Sequence, residues 1–373
     1  MKRLARAACR LLNLAVPLSH LLYGAGALVL LTPQPTLSQQ FPCCGSGKAS
    51  VVALAAKPEP IPQPAQALAV ARVGLTVSDM ERSLAFYTGI LQFRLVADTE
   101  VAGAAWEQAS GIFGVRLRQV TLQLGQERLE LTEFLAASRP GLPAPVDSRS
   151  NDRWFQHVAI ITSDMDSAYR LLRAHRVRSA STAPQLLPVS LPNAAGIRAF
   201  YFRDPDGHPL EVLQFPVDKG DPKWQARGAL FLGIDHTAIV VASTDRSLAF
   251  YRDQLGLRLA GGSENFGTEQ EHLNNVEGAH LRITALRAAS GPGVELLEYL
   301  FPRDGRPYPA SERANDLVHW QTVLRVVDPS RVAAQLVRGG ASMISRPEAG
   351  NHPSLPGVLL RDPDGHVIEL VAP

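Results

Sequence analysis

Four glutamates sit in short apolar stretches of strand-like pattern: Glu130 in "RLELTEF", Glu211 in "PLEVLQF", Glu295 in "GVELLEY" and Glu369 in "VIELVAP". Each has apolar neighbours on both sides, and on a strand those neighbours point to the opposite face. One such glutamate reads as an exposed strand residue. Four in matching contexts read as buried carboxylates, which need a cation or several hydrogen-bond donors. The chemistry open to them is metal ligation or proton transfer. Glu211 and Glu369 each stand three residues after the histidine of the same hexapeptide, "RDPDGH", at 203–208 and 361–366. Thiolate chemistry is excluded, because Cys9, Cys43 and Cys44 all lie in or just after the N-terminal leader.

The elements that must position these residues also repeat. "RSLAFY" occurs at 82–87 and again at 246–251, an offset of 164 residues, against 158 for the hexapeptide. Two homologous halves follow, about 70–216 and 231–373, joined by "FPVDKGDPKWQARG". Each half divides again. "VGLTVSDMERSLAFYTGIL" and "HVAIITSDMDSAYRLLRAH" both open on an alternating strand, pass a polar turn and enter a helical pattern. Asp79 or Ser78 is expected to cap the first helix and Asp164 the second. Three further strands follow each helix, and in the second unit of each half they meet at the Asp-Pro-Asp-Gly turn. The expected fold is α+β, with four βαβββ modules starting near residues 70, 154, 233 and 317.

Composition bounds the function. A hydrophobic fraction of 46% over 373 residues supports two sizeable cores, and a net charge of +2 gives no footing for nucleic acid. Residues 1–38 carry Lys2, Arg3, Arg6 and Arg10, then an apolar run, then a polar stretch ending at Ser38. This is the order of a secretory signal peptide, with a membrane anchor as the alternative. Residues 39–67 read as a Pro- and Ala-rich linker. The domains expected after it are 68–216 and 231–373, in a protein exported to the periplasm or beyond, or tethered to a membrane.

"RSLAFY…LGLRL", "WFQHVAIITSDM" and the two "DPDGH…E" endings resemble the vicinal oxygen chelate superfamily of glyoxalases, extradiol dioxygenases and bleomycin resistance proteins. The resemblance covers the chain after residue 68. It implies that two modules close a curved sheet around one metal, each giving a first-strand ligand and, in glyoxalase-type members, a last-strand glutamate. Carried over residue by residue, the first-strand positions are Arg72, His157, His236 and Gln321. The last-strand positions are Glu130, Glu211, Glu295 and Glu369. His319 is a secondary ligand candidate, and His208 and His366 read as surface turn residues. His352 is similar in placement to the acid–base histidine of extradiol dioxygenases, but the tyrosine expected after it is Leu359.

Two pairings remain open. If adjacent modules pair, the metal set is His236, Glu295, Gln321 and Glu369, with Glu369 as general base. If the middle modules pair, it is His157, Glu211, His236 and Glu295, with Glu211 as base. Short links favour adjacent pairing. Either way Arg72, which cannot ligate a metal, spoils one centre and is expected to neutralise Glu130. The nitrogen and oxygen donors suit one Zn, Ni, Co, Mn or Fe ion. The leading expectation is a glyoxalase-like lyase or isomerase that works through an enediolate of a small vicinal-oxygen substrate. An Fe(II) extradiol dioxygenase and a ligand-sequestering binding protein are the alternatives.

Overall fold

The computed structural model describes residues 67–345 and 357–373. The leader, most of the linker and His352 lie outside them.

All four modules are present. The first holds β1 (Ala67–Val77), α1 (Met80–Gly89), β2 (Arg94–Ala102), α2 (Ala104–Ser110), β3 (Arg116–Leu124) and β4 (Glu127–Ala136). The second holds β5 (Gln156–Thr162), α3 (Met165–Ala174), β6 (Arg178–Ser179), β7 (Gln185–Leu186), β8 (Arg198–Arg203) and β9 (Pro209–Gln214). The third holds β10 (Phe231–Val240), α4 (Thr244–Leu248), β11 (Arg258–Asn265), α5 (Thr268–Asn274), β12 (His280–Arg287) and β13 (Gly293–Phe301). The fourth holds β14 (Trp320–Val326), α6 (Pro329–Arg338), β15 (Ser342–Met343), β16 (Val358–Arg361) and β17 (Val367–Val371). The first helix of each module starts at a side-chain cap: Asp79 accepts from Arg82 N at 3.0 Å and Asp164 from Asp166 N at 3.0 Å, and Ser243 and Asp328 cap α4 and α6. Helices α2 and α5 are additions that the βαβββ pattern does not contain.

The sheets correct the expected pairing. One runs β15-β16-β17-β14-β1-β4-β3-β2 and joins the outer modules; the other runs β11-β12-β13-β10-β5-β9-β8-β6 and joins the middle ones. At the centre of each, two first strands pair antiparallel, β1 with β14 and β10 with β5. Sequential modules meet differently. Their helices pack into shared cores, one holding Val73, Met80, Tyr87, Ile160, Met165 and Phe202, the other Leu248, Tyr251, Leu296, Leu324, Leu336 and Ile368.

The two repeated motifs bind each other across those cores. Tyr87 Oη donates to Asp204 Oδ2 at 3.1 Å, and Arg82 and Ser78 bind Asp206. In the second half Tyr251 Oη donates to Asp362 Oδ2 at 2.9 Å, and Arg246 and the Ala242 amide bind Asp364. Each first aspartate also accepts the amide of its own turn's histidine. The histidines are therefore interior, not on the surface as expected. His208 is 2% exposed with Nδ1 at 2.7 Å from Asp204 Oδ2, and His366 is 2% exposed with Nε2 donating to Val240 O at 2.8 Å. The turn folds back under the neighbouring module, which covers it.

Candidate metal centre

The central register of the middle sheet builds the site. Ala238 lies opposite His157 and Ala159 opposite His236, so the two histidines are diagonal neighbours on one face, with ring centroids 5.7 Å apart. The parallel strands on either side add the carboxylates. β9 sets Glu211 beside Ala159, and β13 sets Glu295 beside Ala238. Glu211 Oε2 lies 3.3 Å from His157 Nε2 and 3.8 Å from His236 Nε2. Glu295 Oε2 lies 3.4 Å from His236 Nε2. Donor atoms of His157, Glu211 and His236 all fall within 4.8 Å of one another.

His236 is held in one orientation. Its Nδ1 donates to Asp235 Oδ2 at 2.9 Å, leaving Nε2 aimed at the glutamates. Asp235 is itself pinned by Arg287, whose Nη2 reaches both carboxylate oxygens at 2.9 and 2.8 Å, and by Trp224 Nε1 at 2.9 Å. A carboxylate behind the far ring nitrogen fixes tautomer and ring angle and raises the basicity of a ligating imidazole. Burial disfavours charge on His236, but Glu295, Asp235 and Glu211 outweigh it and raise the imidazole to about 9. Burial, with Glu211 beside it, raises the Glu295 carboxyl above its usual range despite His236. Burial also acts on Asp235, where His236 and Arg287 prevail and hold the carboxyl well down.

These residues fit a divalent ion. Both ring nitrogens of His157 and the Nε2 of His236 are buried with no hydrogen-bond partner, an arrangement that costs stability unless something binds there. Two neutral nitrogens and two carboxylates supply the hardness and charge a first-row divalent ion takes. Glu211, His236 and Glu295 open onto a cavity of about 1030 Å³. Tyr201, opposite Glu211 on β8, lines it too, its ring 4.9 Å from His157. Burial, and then Glu211, push its phenol well above 10, so it stays a protonated donor.

The outer sheet arranges the same four positions without an imidazole. Arg72 Nε lies 3.0 Å from Glu130 Oε2, and its Nη2 lies 3.2 Å from Glu369 Oε2. Gln321 Nε2 donates to Glu369 Oε2 at 3.2 Å, and the Gly357 amide to Oε1 at 2.9 Å. Burial opposes the charge on Arg72, but Glu369 and Glu130 outweigh it and hold the guanidinium above its ordinary value. Trp106, Leu117, Phe134 and Leu359 close over this site, leaving about 50 Å³. Gln321 and Glu369 are therefore not brought to His236, and Glu369 is saturated by donors. His319 is taken by Glu312, with Nδ1 at 2.6 Å from Oε1.

Sequence reasoning missed Asp235, Arg287 and Tyr201. Asp235 was signalled by its place directly before His236. Tyr201 holds in module two the position that Leu359 holds in module four, at the hexapeptide offset.

A two-fold glyoxalase-like sheet pair with a His/Glu centre defines the class. The chain belongs to the Glyoxalase/Bleomycin resistance protein/Dioxygenase superfamily, whose model matches residues 69–212 and 233–370. It is 32% identical over 160 residues to a 2-epi-5-epi-valiolone epimerase of Actinomyces sp, covering 40% of this chain and 81% of that protein. In fold it is similar to glyoxalase I from Zea mays, with a TM-score of 0.55 at 16% identity over 82% of this chain and 92% of that one.

Proposed function

We propose that the protein is a divalent-metal-dependent isomerase or lyase that moves a proton next to a carbonyl in a small vicinal-oxygen compound. The observation that carries this reading is the buried group of His157, Glu211 and His236, with unpartnered imidazole nitrogens and partly exposed Glu295 beside it. These four would hold the ion. When bound, it supplies Lewis acidity for a carbonyl oxygen.

The chain's own residues divide the remaining work. Glu211 touches both imidazoles and its side chain is 5% exposed, so it serves as a fixed ligand. Glu295 touches one imidazole and its side chain is 20% exposed, facing the cavity. Burial raises its carboxyl above the usual range, which suits a general base, and we assign it the carbon-bound proton, which it returns to the product. Glu211, the base expected for this pairing, is the less exposed of the two. Tyr201 offers a neutral O–H to substrate oxygen. An epimerase relative supports proton transfer without net redox change. The leader adds the proposal that this chemistry takes place outside the cytoplasm.

A dioxygenase reading gains from two observations. Middle pairing places two first-strand histidines with one carboxylate, and Tyr201 stands near them. Glu295 counts against it, because a fourth protein ligand takes a position that oxygen chemistry keeps open. The closed outer site leaves little room for a sequestered ligand.

The test is metal analysis of purified protein, with deuterium uptake from solvent into small α-hydroxycarbonyl compounds followed by proton NMR. One ion per chain and exchange lost in both His236→Ala and His157→Ala are expected. Bound iron with oxygen consumption on catechols, and no exchange, would transfer the assignment to the dioxygenase reading. A protein that binds no metal defeats both.

A further inference from the structure

We propose that Arg258 and Arg287 form an anion subsite in the middle-sheet cavity, so the substrate carries a carboxylate or a phosphate. The inference rests on the proposed function of that cavity. The β11–β12 register sets Arg258 directly opposite Arg287, and both line the cavity that contains Glu295 and His236. Like charges facing across a strand pair are unfavourable. Arg287 is partly satisfied by Asp235, whose carboxylate it shares with His236 and Trp224. The Arg258 side chain has no hydrogen bond or ion pair with any described residue.

The outer sheet gives an internal control. There the matching register sets Arg94 opposite Gln123, and Arg94 Nη2 donates to Gln123 Oε1 at 2.7 Å. The half with the closed site thus satisfies its arginine with a neutral acceptor. The half with the open cavity replaces that acceptor with a second cation. Arg258 is open to solvent, so an anion that enters the cavity can reach it and Arg287 together.

The charge balance of the cavity agrees. Lys223 is paired with Glu127 and Arg287 with Asp235. Glu211 and Glu295 together balance one divalent ion. Arg258, Arg128 and Arg325 then remain against the single carboxylate of Asp221, so the cavity lining stays cationic. Gly261 pairs with Ala285, which in turn lies opposite Glu295, so small residues separate the arginine pair from Glu295, where the outer sheet pairs Ala97 with Thr121. A substrate would place its vicinal oxygens at the His/Glu centre and its anionic group over β11 and β12.

Calorimetric titration of the metal-loaded protein at low salt, with inorganic phosphate and separately with succinate, tests this. We expect at least one of them to bind at one site per chain, and the better probe to tell a phosphate ester from a carboxylate substrate. Arg258→Gln should weaken that binding about tenfold or more, while Arg94→Gln leaves it unchanged. Repeating the titration after chelation separates this claim from the metal reading. Binding that survives chelation but falls in Arg258→Gln supports the arginine subsite independently of any ion. Anion binding lost on chelation and unaffected by Arg258→Gln places the anion on the metal alone, which overturns the subsite and leaves the proposed function standing. No binding of either probe to wild type also overturns it.

Discussion

Replacing Arg72 by histidine should turn the closed centre into a second metal site. The guanidinium is the only cation contacting Glu130 and Glu369 among the described residues, at 3.0 and 3.2 Å. The substitution removes it, and without metal a neutral imidazole leaves two buried carboxylates uncompensated. Removing one partner of a buried pair costs about 3–5 kcal/mol. At roughly 2 °C per kcal/mol for a chain of this size, the melting temperature in chelator should drop by about 6–10 °C. Adding Zn²⁺ should recover most of the loss, since an ion restores about 2.7 kcal/mol at a hundred times its Kd and about 4.1 kcal/mol at a thousand times. The deficit should also close as pH falls. Carboxyl groups stripped of their cation have raised folded pKa values and destabilise above them, and acid both protonates them and charges the imidazole. Thermal melts with and without Zn²⁺, joined to elemental analysis, decide the matter. Wild type should hold one ion and Arg72→His two. An unchanged melting temperature in chelator would refute the idea that Arg72 is the centre's built-in cation, and a loss that zinc cannot restore would refute its likeness to the open site.

Three other outcomes follow from the contacts described. Asp235→Asn keeps the shape behind His236 but removes the charge, and should weaken metal affinity 10–100-fold, read by competition with a chromogenic chelator; equal affinity would leave Asp235 without its assigned role. Glu312 is held at about 2, because His319 and Arg361 outweigh its burial. A depressed folded pKa gives stability that is complete above about 4.5 and lost as pH falls towards 2, worth about 3 kcal/mol, so the deficit of Glu312→Gln in denaturant melts should shrink across that window. Mass measurement of the protein isolated from its native cells should show a chain lacking the first 35–40 residues; an intact Met1 in a cytosolic fraction would contradict export.

The fold was legible because its modules repeat. Two copies each of "RSLAFY" and "RDPDGH" locate helix, turn and last strand in both halves, and the structure shows why they recur together: Tyr87 and Tyr251 donate to the aspartates of the partner turns. The same docking hid the burial of His208 and His366, since a turn read in isolation looks solvated. The four glutamates and first-strand residues could be placed one by one because strand alternation fixes which residues share a face. Which modules share a sheet could not be read that way. β4 ends at Ala136 and β5 begins at Gln156, whereas β9 ends at Gln214 and β10 begins at Phe231, so every link is long enough for either partner and the preference for adjacent pairing had little physical force. One local signal pointed the right way. Gly74 leaves room for Gln321, whose Cγ would lie 2.7 Å from a Cβ placed there, but that fit is visible only once β1 and β14 are side by side.

The ring of contacts, in which helices join neighbours and sheets join the chain's two halves, makes each centre a junction between halves. Were the halves separate, identical polypeptides meeting about a two-fold axis, both junctions would be copies, and an arginine at the position of Arg72 would appear in each. Every change would be made twice. Covalent fusion removes that symmetry: one junction can harden into a pin of arginine and glutamate while the other stays open to solvent. The closed junction then anchors the open one, and substitutions can accumulate around His236 without loosening the seam on the far side.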